Sequence, residues 1–182
     1  MPVVVQAPAT SANLGPGFDC LGLALELRDH VTFTEAQATS VTVEGEGAAE
    51  VSLGSDHLVV SSFRAAFDER GLTAPEVAVH CRNSIPHGRG LGSSSAAIVT
   101  GLVGARAMGA GLDDAALLAL ATRIEGHPDN VAPALLGGLT VSWMSEGTGR
   151  AVRLDPASGL QAVVAIPPER LSTATARTLT SG

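Results

Sequence analysis

Short apolar or alternating runs dominate the first 81 residues of the chain, and such runs are typical of strands that bury one face. They cover residues 3–7, 21–27, 31–34, 40–44 and 76–81. Residues 8–19 (PATSANLGPGFD), between the first two runs, are rich in turn formers and small polar residues. We therefore expect a structured loop there, and polar turns between the other early strands.

Apolar positions at helical spacing appear from residue 58 onwards. They predict helices over 58–70, over about 92–108, from Asp113 or Asp114 to Glu125, and over 131–136. Residues 138–143 and 160–166 predict further strands, with a polar turn at 145–150, and residues 171–179 predict the start of a last helix. Gly71 supplies a C-terminal stop for the first helix, and either aspartate can cap the third.

Early strands followed by a run of helices predict an α+β domain of two layers over about residues 1–155. In this interpretation antiparallel strands pack on the helices that follow residues 57, 92 and 113. A predicted strand and a partial helix in residues 156–182 cannot bury a core by themselves. We expect them to be the incomplete start of a second domain.

Composition narrows the classes of function. At 182 residues and 45% apolar content, the chain can bury one substantial core. The net charge of −7, the absence of lysine and the scattered arginines argue against a nucleic-acid surface. No apolar run approaches the length of a membrane span, and the first residues lack a signal peptide, so we expect a soluble cytoplasmic protein. Cys20 and Cys81 lack a metal-binding spacing, which favours buried free thiols.

Residues 86–96 (PHGRGLGSSSA) form a glycine-rich loop between a predicted strand and a predicted helix. Its alternating glycines allow tight turns and close approach to a ligand, and the helix N-terminus offers free N–H groups to an anion. The following serine hydroxyls suit phosphate oxygens or a hard cation. The P-loop motif fails because position 93 is serine rather than lysine, and the dinucleotide motif fails on glycine spacing. Phosphate binding is our interpretation, with a serine-capped turn as the alternative.

Four segments together resemble the homoserine kinases of the GHMP small-molecule kinase superfamily. They are residues 8–19, 86–96, 125–133 (EGHPDNVAP) and 171–177 (LSTATAR). The resemblance implies a GHMP kinase N-terminal ATP-binding domain over 1–155 and the start of a ferredoxin-like C-terminal domain over 156–182. It also implies transfer of the ATP γ-phosphoryl group to the side-chain hydroxyl of L-homoserine, giving O-phospho-L-homoserine in threonine biosynthesis.

The resemblance assigns ATP and Mg²⁺ to particular residues. The implied ATP-binding residues are Pro86, His87, Gly88, Arg89, Gly90, Leu91, Gly92, Ser93, Ser94, Ser95 and Ala96. Ser94 and Glu125 are the implied metal ligands, a hydroxyl and a carboxylate that suit Mg²⁺. With Asp19, they are also the implied catalytic residues. Asp19 is the candidate base, although alignment and the phosphate itself can activate the acceptor hydroxyl.

A zwitterionic acceptor needs a carboxylate for its ammonium and a cation for its carboxylate. The resemblance assigns this work to Asn13, Asp19, His127, Asn130, Thr173 and Arg177. Asp19 complements the ammonium, and Arg177 grips the carboxylate. When these residues are considered one at a time, each has a structural alternative as a turn, cap or surface residue. The remaining histidines, His30, His57 and His80, are expected to be structural or exposed, as is His87 when the loop is considered without the resemblance.

Two rival functions remain open at this stage. One is another GHMP kinase acting on mevalonate or a sugar, which is disfavoured because Thr10-Ser11-Ala12 stands where mevalonate-type members place a lysine. The other is a non-catalytic nucleotide-binding remnant, which a genuine stop at Gly182 would favour over a reading frame that continues. The expected partner is a small-molecule substrate, with no nucleic acid or membrane, and a homodimer is allowed.

Overall fold

A computed structural model describes residues 1–159 and 161–166 of the chain. The strands are β1 (Val3–Leu14), β2 (Gly17–Glu35), β3 (Ser40–Gly45), β4 (Val77–Asn83), β5 (Leu139–Ser145) and β6 (Thr148–Leu154). The helices are α1 (Leu58–Asp68), α2 (Ser93–Ala105), α3 (Asp114–Glu125) and α4 (Pro128–Leu136), with a π-helical turn at Arg106–Ala110 after α2. No helix in these described ranges is long and apolar enough to cross a membrane.

The six strands form one mixed sheet in which β2 is the central element. It pairs antiparallel with β1, with β4 near its C-terminal end and with β5 near its N-terminal end. β3 joins β4 in parallel and β6 joins β5 antiparallel, which gives the order β3-β4-β2-β5-β6 with β1 also on β2. The two-layer α+β prediction is confirmed, because the helices that begin at residues 58, 93 and 114 share one apolar core with a largely antiparallel sheet.

The main core lies between the sheet and the helices. β2 contributes Val31 and Phe33, β4 contributes Val77 and Val79, and all four are at most 2% exposed. Phe33 stacks on Phe63 of α1 with ring centroids 5.5 Å apart. Alternating side chains of the strands thus form one continuous apolar layer beneath the helices.

Four sequence predictions about secondary structure were wrong. Residues 8–19 are mostly strand, because β1 and β2 continue into a tight turn at residues 15–16 through irregularities in their pairing. Residues 21–27 and 31–34 belong to the single strand β2. The polar turn predicted at 145–150 is shorter, and the unpredicted strand β6 begins at Thr148. Residues 161–166 form neither strand nor helix.

Smaller differences concern helix ends and a cysteine. α2 ends at Ala105 rather than near residue 108, because the chain enters the π-helical turn and Gly109 then adopts a positive φ of 110°. α4 begins three residues earlier than predicted, with Pro128 at its first position. Cys81 is buried, as predicted, whereas Cys20 is exposed. The helix predicted over 171–179 lies outside the described residues.

Candidate functional site

The glycine-rich loop connects β4 to α2 and is held at its start by Asp29 of β2. The Asp29 carboxylate accepts hydrogen bonds at Oδ1 from the backbone N–H groups of Ser84 (2.7 Å) and Ile85 (2.9 Å). Burial raises the pKa of Asp29, although both hydrogen bonds act in the opposite direction. The sheet therefore fixes the position at which the loop leaves β4.

All three glycines of the loop need the left-handed region. Gly88, Gly90 and Gly92 have φ values of 67°, 72° and 65°. Residues that carry a Cβ rarely adopt such values. A Cβ at Gly90 would meet nothing within 4 Å and would project into open space. The loop backbone is thus accessible at this glycine, as phosphate binding requires.

The N-terminus of α2 offers unpaired amides beside the loop. Gly92 is the N-cap, and among the described residues no side chain caps the helix. The first hydrogen bond inside the helix runs from Ala96 N–H to Gly92 C=O at 2.9 Å. The amides of Ser93, Ser94 and Ser95 precede it and have no partner within the helix, so they form an electropositive end.

Glu125 lies beside this helix end and contacts two of its serines. The hydroxyl of Ser94 donates to Glu125 Oε1 at 2.7 Å, and the buried hydroxyl of Ser95 donates to the same oxygen at 2.9 Å. Glu125 is the last residue of α3, which Gly126 ends with a φ of 97°. The two residues predicted as metal ligands, 31 positions apart in sequence, are therefore in contact.

This donor set has the composition that Mg²⁺ uses. Within residues 1–159 and 161–166, no three His, Cys, Asp or Glu side chains cluster to form an all-protein metal cage. Mg²⁺ does not need one, because it is commonly held by one or two carboxylates, substrate phosphates and water. Since Ser95 and Ser94 both bond to Oε1, the other carboxylate oxygen of Glu125 is not used by these serines.

A cavity of about 330 Å³ opens next to the loop. Its walls include Ser93 and Ser94 of α2, His87 of the loop, and Asp56 and His57 before α1. His57 is only 6% exposed, and burial lowers the pKa of its imidazole, so the ring is neutral near pH 7. Cys81 lines the same cavity, and burial raises its thiol pKa to about 12. The cavity is of a size found for small-ligand sites.

Asn13 and Asp19 face each other across the turn between β1 and β2. Both adopt positive φ values, 58° and 57°, and the Asp19 N–H donates to Asn13 Oδ1 at 2.8 Å. Left-handed backbone at non-glycine residues is uncommon and concentrates at functional sites. The structure thus brings together two of the predicted acceptor-site residues.

The other described acceptor-site residues, His127 and Asn130, flank the start of α4. His127 Nδ1 is hydrogen bonded to Asp129 Oδ1, and Asp129 is 1% exposed. Asn130 Oδ1 accepts a 2.8 Å hydrogen bond from the hydroxyl of Thr10 in β1. A Cβ built on Gly92 would lie 3.2 Å from that same amide oxygen, so Asn130 is adjacent to the phosphate loop.

The sequence predictions missed three residues near the site. His57 was expected to be structural or exposed; it is buried, and it is one of the residues that line the cavity. Thr10 and Asp129 were not assigned to the site, although they are hydrogen bonded to Asn130 and His127. Asp129 had a local signal, because it lies two positions after His127 within the quoted motif. Thr10 had none, because its partner is 120 residues away. Thr173 and Arg177 lie outside the described residues.

Comparisons with known proteins show which sequences this chain resembles. Residues 57–138 match the model of the GHMP kinases N terminal domain. The homoserine kinase of Streptomyces coelicolor is 53% identical over 97% of this chain, and that of Mycobacterium tuberculosis is 46% identical over 94%. The chain spans 59% and 57% of the lengths of these two relatives.

Solved structures agree on the fold. The homoserine kinase of Cytophaga hutchinsonii superposes with a TM-score of 0.78 at 27% identity, covering 97% of this chain and 59% of that one. The mevalonate kinase of Methanococcus jannaschii, at 13% identity, shares the fold with a TM-score of 0.65, covering 86% of this chain and 56% of that one. By the sequence of residues 57–138 and by fold, this chain contains a GHMP kinase N-terminal domain.

Proposed function

We propose that this chain is the ATP-binding part of a homoserine kinase, which transfers the ATP γ-phosphoryl group to the side-chain hydroxyl of L-homoserine. The similarity to homoserine kinases over nearly the whole chain supports the substrate. The contact of Ser94 and Ser95 with Glu125 at the N-terminus of α2 is the single observation that carries the chemistry. The product would be O-phospho-L-homoserine, and the reaction would belong to cytoplasmic threonine biosynthesis.

The proposed phosphate site is the loop from Gly88 to Ser95. Phosphoryl transfer depends mainly on alignment and on stabilisation of negative charge. The unpaired amides and dipole of α2 supply that stabilisation without a lysine, which the chain lacks. We place the nucleoside in the adjacent 330 Å³ cavity, because Ser93 and Ser94 line both sites.

The proposed cation ligands are Ser94 and Glu125. When bound there, Mg²⁺ would neutralise charge on the phosphate oxygens. Ser95 holds the Glu125 carboxylate through Oε1, and this contact leaves Oε2 available. The chain thus orients a carboxylate at the end of the phosphate loop before any ligand binds.

The proposed acceptor site consists of Asn13, Asp19, His127 and Asn130. Asp19 would receive the ammonium group and is the candidate base. Thr173 and Arg177 would complete the site by binding the carboxylate, as the family resemblance implies. Residues 1–155 would then be the ATP-binding domain and residues 156–182 the start of the next domain, a division that the end of β6 at Leu154 supports.

A kinase assay of the full-length natural protein tests this function. L-homoserine, mevalonate and galactose would be compared as acceptors with ATP and Mg²⁺, and phosphate transfer measured on each. We expect turnover of homoserine in clear preference to the other two. Preference for mevalonate or galactose would overturn the acceptor, and no turnover of any of them would overturn the proposed activity.

A further inference from the structure

Thr10 occupies the point at which the proposed acceptor site meets the phosphate loop. It is fully buried, with 0% of its surface exposed. Its backbone N–H donates to the carbonyl of Leu91 in the loop at 3.0 Å, and its hydroxyl donates to Asn130 Oδ1 at 2.8 Å. A Cβ on Gly92 would lie 2.0 Å from the Thr10 hydroxyl oxygen. Thr10 therefore contacts two segments that are distant from it in sequence, the phosphate loop and the start of α4.

Thr10 and Asp129 together orient the Asn130 amide, because the hydroxyl bonds to one end of the amide and the carboxylate accepts from the other. Since Oδ1 accepts from Thr10, Nδ2 is at the other end, 3.4 Å from Asp129 Oδ1. The reverse orientation would turn the amide oxygen towards that carboxylate oxygen, which is unfavourable for two acceptors. The Asn130 side chain is thus held with Oδ1 engaged by Thr10 and one N–H directed at Asp129, so its second N–H is the donor that a ligand can meet.

We propose that Thr10 is a positioning residue that fixes Asn130 as a hydrogen-bond donor to an oxygen of the acceptor substrate. This inference rests on the proposed function. Its consequence is that Asn130 contacts the carboxylate or hydroxyl oxygen of the acceptor rather than its ammonium. Because the backbone N–H of Thr10 also bonds to Leu91, Thr10 connects Asn130 to the phosphate loop and so helps to align the acceptor with the phosphate, on which transfer depends.

The test is a set of variants in the full-length protein. Thr10→Val removes the hydroxyl while keeping the shape, and Thr10→Ser keeps the hydroxyl. We expect Thr10→Val to weaken homoserine binding about tenfold. This is the lower end of the losses that follow removal of a residue that supports a binding residue. KM for ATP should be unchanged, and Thr10→Ser should lie closer to the wild type than to Thr10→Val. Calorimetric titration with homoserine gives the affinity independently of turnover.

A double-mutant cycle separates positioning from general packing. In an Asn130→Ala background, Thr10→Val should cause no further loss of homoserine affinity, because the residue it acts through is gone. An equal loss in both backgrounds would overturn the inference, as would unchanged affinity of Thr10→Val. If the wild type does not phosphorylate homoserine, the proposed function fails instead, so the two failures are distinguishable.

Asn130→Asp provides a second route that does not depend on the stability of Thr10→Val. The aspartate oxygen still accepts from Thr10, but the ligand then meets an acceptor instead of an amide donor. We expect homoserine affinity, measured by calorimetry below the melting temperature of the variant, to fall at least as far as in Thr10→Val. The melting temperature should also drop, because the new carboxylate oxygen lies against Asp129 Oδ1. Retained or tighter homoserine binding would show that Asn130 faces the ammonium and would overturn the inference.

Discussion

The proposed cation site depends most on Glu125. Within the described residues, its carboxylate is the only charged group that is hydrogen bonded to Ser94 and Ser95. Its position follows from two helix ends that meet: α3 ends at Glu125, and α2 begins at Ser93. A carboxylate at a helix N-terminus is favourable without a ligand, so the arrangement is stable before phosphate and cation arrive.

We predict that Glu125→Gln weakens the affinity for Mg²⁺ in the presence of ATP by at least about tenfold, since loss of even a supporting contact costs that much. The glutamine oxygen still accepts from both serines, so the melting temperature should change little. Mn²⁺ binding followed by electron paramagnetic resonance gives the affinity. Glu69→Gln is the control, because Glu69 pairs with Arg123 on the surface, away from the loop. Equal affinities for the two variants would contradict the assignment.

His57 makes the stability of the protein sensitive to acid. Burial lowers the pKa of its imidazole below the ordinary value of 6.5, so the unfolded chain binds a proton more readily than the folded one. The stabilisation that follows is fully present above pH 6.5 and is lost as pH falls from there through the folded pKa. Asp56 beside it opposes this shift, and His87 adds to it.

We predict that His57→Gln removes part of this pH dependence. Urea denaturation at several values between pH 5 and pH 8 should show a smaller loss of unfolding free energy on acidification than in the wild type. Thr34→Gln, at an exposed site on β2, is the control, because it introduces the same amide without removing a titratable group, and it should keep the wild-type slope. A His57→Gln slope as steep as the wild type would show that other groups cause the acid sensitivity.

At the scale of elements, glycines in α2 allow this helix to approach both α1 and the sheet closely. A Cβ at Gly101 would lie 2.4 Å from the carbonyl oxygen of Val59 and 2.9 Å from the amide nitrogen of Phe63. At Gly104 it would lie 2.6 Å from the ring of Phe33. Glycine in a helix has a low intrinsic propensity, so these residues are explained by packing rather than by helix formation.

We predict that Gly101→Ala lowers the free energy of unfolding by about 1–3 kcal/mol, the usual cost of overpacking. The direction of the change is informative, because the higher helix propensity of alanine alone would raise the free energy of unfolding by about 1 kcal/mol. Urea denaturation provides the measurement. Ala115→Ser, at an exposed position of α3, is the control and should change stability by less than about 0.5 kcal/mol. A more stable Gly101→Ala protein would mean that the helices move apart easily.

The phosphate loop yields a prediction that separates ligand approach from backbone strain. Gly90→Val should abolish ATP binding by filling the open space over the loop and disfavouring its φ of 72°. Gly71→Val is the matched control, because Gly71 also has a positive φ, 64°, and open surroundings, but it follows α1. ATP binding by calorimetry should be lost only in Gly90→Val, while both variants remain folded by circular dichroism. Similar ATP affinities in the two variants would remove the loop from the site.

The elements differ in how well the sequence predicts them. Helix periodicity is a local signal, so α1 and α3 begin where their patterns indicate. The hairpin of β1 and β2 was missed because Pro8, Asn13 and Gly15 are turn formers, yet sheet pairing continues around them with irregular register. β6 was missed because its sequence, TGRAVRL, is polar and short, and its partner β5 defines it. Tertiary pairing overrides local propensity in both cases.

At the scale of the whole molecule, the candidate site is made of contacts between segments far apart in sequence. The family resemblance predicted Ser94 and Glu125, and the structure brings them into contact. The Thr10–Asn130 contact, by contrast, depends on how β1 lies beside α4, which no local pattern encodes. Sequence thus indicates which motifs contribute to the site, whereas the residues that orient them require the assembled fold.

The central position of β2 has a consequence for how the protein folds. Its partners are β1 beside it in sequence, β4 about fifty residues later and β5 more than a hundred residues later, where Leu21 pairs with Val141. Contacts of such long range slow folding to the millisecond-to-second regime. On the ribosome, β5 emerges on the order of ten seconds after β2. During that interval the residues that later pair with β5 remain without their native partner. In pulse-labelled hydrogen exchange during refolding, the amides of these residues should be the last to become protected.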